Sequence, residues 1–160
     1  MSSQLWMLRH AEAVPHGVKP DEQRELTARG HEQARIAGAA LLALGVELAA
    51  CYASPKLRAV ETAQGACAPL GIEPQAVAAI AGGFSRGDAL ELLYAHGDDE
   101  HVLVVGHEPS FSQVVHDLCG ARVDFKKGGI AVVRAGGAAG ELLALLRPRE
   151  LAAIAGVAAV

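Results

Sequence analysis

The stretch QLWMLRHAEA, residues 4–13, carries an apolar run straight into a cation and a titratable imidazole, Arg9-His10. Residues 4–9 read as a buried strand that is short, apolar and stopped by charge. Downstream, Pro15, Gly17 and Pro20 mark a polar loop, and Thr27 is placed to N-cap a helix over 28–44, where Ala34, Ala37, Leu41 and Leu42 recur at helical spacing. VELAACYAS (46–54) reads as a second buried strand. Ser54-Pro55 then opens a helix, with the serine as cap, that ends near Cys67 before Pro69 and Gly71. Residues 72–85 have no clear period, and AGGFSRG (81–87) is a loop. DALELLYAHG (88–97) reads as an amphipathic helix ended by glycine, HVLVVGH (101–107) as a strand, and EPSFSQVVHDLCG (108–120) as a helix with proline in its first turn. GIAVVRA and ELLALLRP, joined by GGAAG (136–140), form a terminal β-hairpin. Strands alternating with helices predict an α/β fold, a three-layer α-β-α with a mainly parallel central sheet. No repeat, linker or low-complexity segment divides the chain, so one domain over 1–160 is expected.

Composition narrows the function. A chain of 160 residues has enough length to bury a core without staples. Its net charge of −4 speaks against a nucleic-acid binder, which needs a basic face, but leaves room for a local basic pocket. Cys51, Cys67 and Cys119 are three in number, far apart and without C-x-x-C spacing, which predicts reduced buried thiols in a cytoplasmic protein. The beginning, MSSQLWMLRH, has no basic region followed by a long apolar core, so no signal peptide is expected. The greasy window 36–53 is interrupted by Gly45 and Glu47, and the tail LAAIAGVAAV is too short to span a bilayer; no membrane partner is expected.

Three strand ends carry polar groups suited to phosphate: Arg9-His10, then SPKLRAVETA with Ser54 and Arg58, then Gly106-His107-Glu108. Ligands of open α/β sheets bind outside the carboxyl ends of strands, so convergence of these ends would make one crevice. Singly, each has a plainer reading: a surface Arg-His pair, a capped helix start, and a strand-to-helix turn whose glycine serves the backbone. His16, His31, His96, His101 and His116 show no metal-ligand spacing and read as surface or core-edge residues. Gly82 and Gly87 have the spacing of a phosphate-binding P-loop, but no Lys-Ser or Lys-Thr follows.

In order and in context, LRHAEA, SPKLRAVETA and VVGHEP resemble the histidine phosphatase superfamily, whose fold is called phosphoglycerate-mutase-like. The short chain, the RHAEA form and the strand of KKGGIAVV look closest to its SixA-type phosphohistidine phosphatases. The resemblance spans residues 4–135 and implies His10 as nucleophile, with Arg9, Arg58 and His107 forming the phosphate pocket. Charge and hydrogen bonding agree with those roles. Guanidinium forks match phosphoryl oxygens in pairs, a neutral imidazole can attack phosphorus, and a phosphohistidine intermediate splits one hard step into two. A protonated His107 would add positive charge to the transition state. Ser54 is expected to cap its helix rather than touch substrate. No cofactor or metal is required, and no clustered carboxylates are in place to hold magnesium.

Two departures from the superfamily pattern bear on substrate. Ala11 stands where Arg-His-Gly is commonest, a change of one methyl. More consequential, members acting on esters supply an acid after the second helix, whereas here no acid occurs from Gln75 until Asp88. Asp88 belongs at a helix N-terminus, where capping is its expected job, and Glu12 is the other candidate proton donor. A missing general acid costs about a hundred- to ten-thousandfold with a poor leaving group. An imidazole leaves more easily than an alkoxide, so the expected substrate is phosphohistidine on a signalling protein, such as a histidine-phosphotransfer domain. The chain also has few residues to spare for a lid. A small phosphate ester (a sugar or nucleotide phosphate) is the alternative substrate, and a non-catalytic phosphate-binding module is the alternative from another class. A monomer is expected, because no long apolar surface stretch is left over.

Overall fold

The computed structural model describes residues 3–136 and 138–160. Met1 and Ser2 of the leader reading and Gly137 of the predicted hairpin turn lie outside the described residues. The chain runs β1 (Gln4–Arg9), α1 (Ala28–Ala43), β2 (Ala50–Ala53), α2 (Leu57–Cys67), β3 (Gln75–Ala76), α3 (Arg86–Tyr94), β4 (His101–Gly106), α4 (Ser110–Cys119), β5 (Ile130–Arg134), β6 (Glu141–Leu146) and α5 (Pro148–Ala155). The six strands form one sheet in the order β3-β2-β4-β1-β5-β6. Pairing is parallel from β3 through β1 and antiparallel at β1-β5 and β5-β6.

Side chains of successive strand residues point to opposite faces, and here both faces are covered. Trp6, Leu8, Leu103, Val105, Ile130 and Val132 meet Ile36, Leu41 and Leu151 on the side of α1, α2 and α5. Leu5, Met7, Val102 and Val104 meet Leu93, Phe111 and Val115 on the side of α3 and α4. That explains the unbroken apolar runs of β1 and β4: a strand buried twice has no polar face to alternate with. Large aromatics are few, so the layers close through small residues. A Cβ on Gly38 of α1 would sit 2.6 Å from the Ala66 carbonyl oxygen of α2, and one on Gly65 would sit 2.9 Å from Cβ of Ala34. Glycine and alanine thus bring these two helices close, which fixes α2 and the Arg58 it carries.

Several boundaries differ from the expectation. The second strand is confined to 50–53, with the Ala49 N–H donating to the His101 carbonyl of β4 at 2.8 Å just ahead of it. The stretch without clear period holds the two-residue β3 and a 3-10 turn over Ala78–Ala81. α3 starts two residues early, capped by Ser85. Helix α5 was not foreseen; Pro148 at its first turn and Glu150, which accepts from the Arg147 N–H at 3.2 Å, are its start signals. Cys51 and Cys67 are buried free thiols, while Cys119 is only half-buried. No helix among the described residues is long and apolar enough to cross a membrane.

Candidate functional site

Sheet order brings the three strand ends together. β4 lies between β1 and β2, and the register pairs Arg9 with Gly106 and Ala53 with Val105. The next residues along the three strands therefore emerge side by side: the His10 N–H donates to the Gly106 carbonyl at 2.9 Å, and the Ser54 N–H to the Val105 carbonyl at 3.0 Å. His10, His107 and Arg58, all buried, share a cavity of about 600 Å³ with Arg9. The His10 and His107 rings stand 5.3 Å apart, centroid to centroid.

His10 is fixed in one neutral form. Its Nδ1 lies 2.8 Å from the Ala11 carbonyl oxygen, which only accepts, so Nδ1 carries the proton and Nε2 keeps a free lone pair. Burial, with His107, Arg58 and Arg9 nearby, pushes the imidazole down to about 3, against the pull of that carbonyl. Ala11 in turn donates its N–H to Oγ1 of Thr62 at 3.0 Å, and Thr62 donates to the Arg58 carbonyl at 2.7 Å. Thr62 so ties the loop that follows His10 to the turn of α2 that carries Arg58.

The cations are anchored and still have donors to offer. Arg9 Nη1 donates to the Phe125 carbonyl at 2.7 Å, while Nε of Arg9 and Nε of Arg58 are buried without a partner. Arg58 Nη1 and Nη2 donate to Asp21, at 2.8 Å to its backbone oxygen and 3.3 Å to its carboxylate. That carboxylate also takes Lys56 at 3.1 Å and Arg24 Nε at 3.1 Å, and these hydrogen bonds, Lys56 first, hold it well below the usual range. Asp21 is thus the hub of the cationic wall. His107 Nε2 lies 2.7 Å from the Ser54 hydroxyl, and Nδ1 is buried without a partner. Burial first, then Arg58 and Lys56, push His107 down to about 4. His107 is therefore neutral by itself, and the positive charge expected of it requires a bound anion to raise its pKa.

Neither predicted proton donor is free. Glu12 lines the cavity, but its carboxylate accepts from Arg29 at 2.7 Å and Thr27 at 2.9 Å, which hold it below the ordinary range. Asp88 is not in the cavity lining; it completes a capping box with Ser85 on α3. Ser54 corrects its expectation. The residue flanking α2 is Lys56, and Ser54 Oγ accepts the Lys56 N–H at 3.2 Å while bonding His107. Gly106 also corrects its reading: its φ is not positive, and a Cβ there would meet Ile80 and Phe111 at 2.7 Å. The glycine makes room for packing under the site.

Asp21, Arg24, Thr62 and Lys127 escaped the sequence reading, as did the cavity-edge position of His16. Asp21, Arg24 and His16 sit in or beside an irregular loop whose placement no local signal reveals. Lys127 was visible within KKGGIAVV, and Glu108 within GHEP, where its carboxylate accepts from the Ser112 N–H and hydroxyl at 2.7 Å. Among the described residues, no three His, Cys, Asp or Glu side chains cluster as a metal cage.

The chain matches the family model described as histidine phosphatase superfamily (branch 1) over residues 5–81, which takes in His10 and Arg58 and stops short of His107. It is 30% identical over 143 residues to an uncharacterized protein of a Picosynechococcus strain, covering 84% of this chain and 87% of the other. Among solved structures it superposes on the protein histidine phosphatase SixA complexed with tungstate, with a TM-score of 0.82, 24% identity and coverage of 92% of this chain and 99% of that one. It also superposes on the alpha-ribazole phosphatase of Shigella flexneri, with a TM-score of 0.73, 18% identity and coverage of 91% and 96%. With the fold shared across both enzymes, the first two motifs inside the matched stretch and the third brought beside them by β4, the chain belongs to the histidine phosphatase superfamily.

Proposed function

We propose that this phosphatase removes the phosphoryl group from phosphohistidine on a protein, through a covalent intermediate on His10. One observation carries the catalytic part: a buried imidazole held neutral, with Nδ1–H tied to Ala11 and Nε2 free beside Arg9, Arg58 and His107. Nε2 of His10 attacks phosphorus in line with the departing group. The bond from phosphorus to the substrate's imidazole breaks, and that imidazole leaves neutral when its ring already carries a proton. Water then attacks the phosphoryl group on His10, releases inorganic phosphate and returns the imidazole to its starting form. Arg9 and Arg58 donate to the equatorial oxygens, where the transition state spreads its charge. Their unpartnered Nε atoms, with Nδ1 of His107, are donors already desolvated before an anion arrives. The tungstate bound by the SixA neighbour is likewise a tetrahedral oxyanion.

The leaving group follows from the carboxylates. Glu12, Asp21 and Glu108 all lie in or beside the cavity, and each is already bonded to cations or to hydroxyl and backbone donors. An alkoxide departing without a proton donor is slow, and an imidazole is not. The test is to offer the purified protein a histidine-phosphorylated phosphotransfer domain beside a panel of sugar and nucleotide phosphates, without added metal, and to compare kcat/KM. A preference for the phosphoprotein is expected. A clear preference for one small ester would overturn the substrate assignment.

A further inference from the structure

A second concavity of about 530 Å³ adjoins the first, sharing Arg9 and Lys127 with it. Six cations line it: Arg9, Arg29, Lys126, Lys127, Arg147 and Arg149. They come from four separate places, the end of β1, the first turn of α1, the loop before β5 and the start of α5. Three carboxylates offset them: Glu12 pairs with Arg29 at 2.7 Å, Asp124 with Lys126 at 2.9 Å, and Glu150 with Arg147 at 2.7 Å and with Arg149 at 3.3 Å. The groove is therefore positive on a chain whose total charge is −4. Arg29, Lys126 and Arg149 are more than half exposed, so their charge reaches a partner in solvent. Part of Arg29 is already engaged, since its Nη2 donates to the Val160 backbone oxygen at 3.1 Å.

We infer that this groove docks the acidic surface of a phosphoprotein, beside the phosphohistidine that enters the first cavity. The inference rests on the proposed substrate class and adds the charge of its surroundings. A phosphoryl group alone is filled out by Arg9, Arg58 and His107, and a small ester would not extend into a neighbouring concavity of similar size. Charge complementarity chooses the occupant: a positive groove opening off a phosphate pocket steers an acidic face, and through Arg9 and Lys127 the two sites share a wall. Exposed rim charges act chiefly on encounter, so their effect should appear in kcat/KM and weaken with salt.

Two synthetic phosphohistidine peptides, one flanked by Asp and Glu and one by Lys, serve as probes, with p-nitrophenyl phosphate as the small ester. The acidic peptide should give a kcat/KM at least about tenfold above the basic one at low salt, and the gap should narrow at high salt. K126E and R149E together should erase most of that gap and leave turnover of p-nitrophenyl phosphate unchanged, which also reports intact folding. If both peptides are hydrolysed equally well, or the double variant keeps the gap, the groove has no docking role while the phosphohistidine assignment stands. If neither peptide is hydrolysed although the ester is, the assignment and the inference both fall.

Discussion

At His10, burial and the neighbouring cations act in one direction, against the imidazolium, and only the Ala11 carbonyl opposes them. His10, the proposed nucleophile, is therefore neutral well below the pH at which an exposed histidine would be protonated. After correction for the substrate's own second phosphate ionisation near about 6, kcat/KM should stay level through pH 6.5. An acid limb centred there and assigned to His10 would contradict its depressed pKa. Asp21 acts one step removed, through Arg58. Asp21→Asn keeps the backbone bond to Arg58 Nη1 and weakens the one to Nη2. The carboxylate's bonds to Lys56 and Arg24 weaken with it, and a fall of about tenfold in kcat/KM is expected, with Arg58 still held by the Asp21 backbone oxygen. A steady-state comparison on a small phosphate ester, with inorganic phosphate as competitor, separates lost phosphate affinity from lost folding.

The elements explain why some site residues were legible and others were not. His10, Arg58 and His107 follow or begin regular elements, and such boundaries are written locally: an apolar run ending in charge, a Ser-Pro turn, a Gly-His break. Ser54 was noticed for the wrong reason, because its bond to His107 crosses from the end of one strand to the end of another. Asp21 opens a short 3-10 turn, Asp21–Gln23, that packs against α2, and only tertiary structure places it there. Asp88 was read correctly as a helix-terminal residue, though the helix begins at Arg86 with Ser85 as its cap. Asp88→Asn should therefore cost about 1 kcal/mol of stability, read from the denaturation midpoint, and leave turnover unchanged. Gly106→Ala should do more damage, because its Cβ would push into Phe111 beneath the site. A loss of about 1–3 kcal/mol is expected from such overpacking.

Across the whole molecule, the layered architecture was legible because strands and helices alternate at readable periods. The sheet order was not, since nothing local says that β4 inserts between β1 and β2. That insertion makes a site from three separate motifs. It also buries two histidines in a neutral state, which couples stability to acidity. Between its folded value of about 3 and the ordinary 6.5, His10 binds a proton more readily in the unfolded chain, so stability is full above 6.5 and falls as pH drops through that window. From pH 7.5 to pH 5, His10 alone should remove roughly 2 kcal/mol, and His10→Asn should flatten that part of the curve in urea titrations.

The most direct measurement is to quench the enzyme during turnover of a phosphorus-32-labelled substrate and look for label on the protein. The label should sit on His10, be lost in acid and kept in alkali, and disappear in His10→Ala together with activity. Turnover that persists in His10→Ala with no labelled protein would contradict a nucleophilic His10.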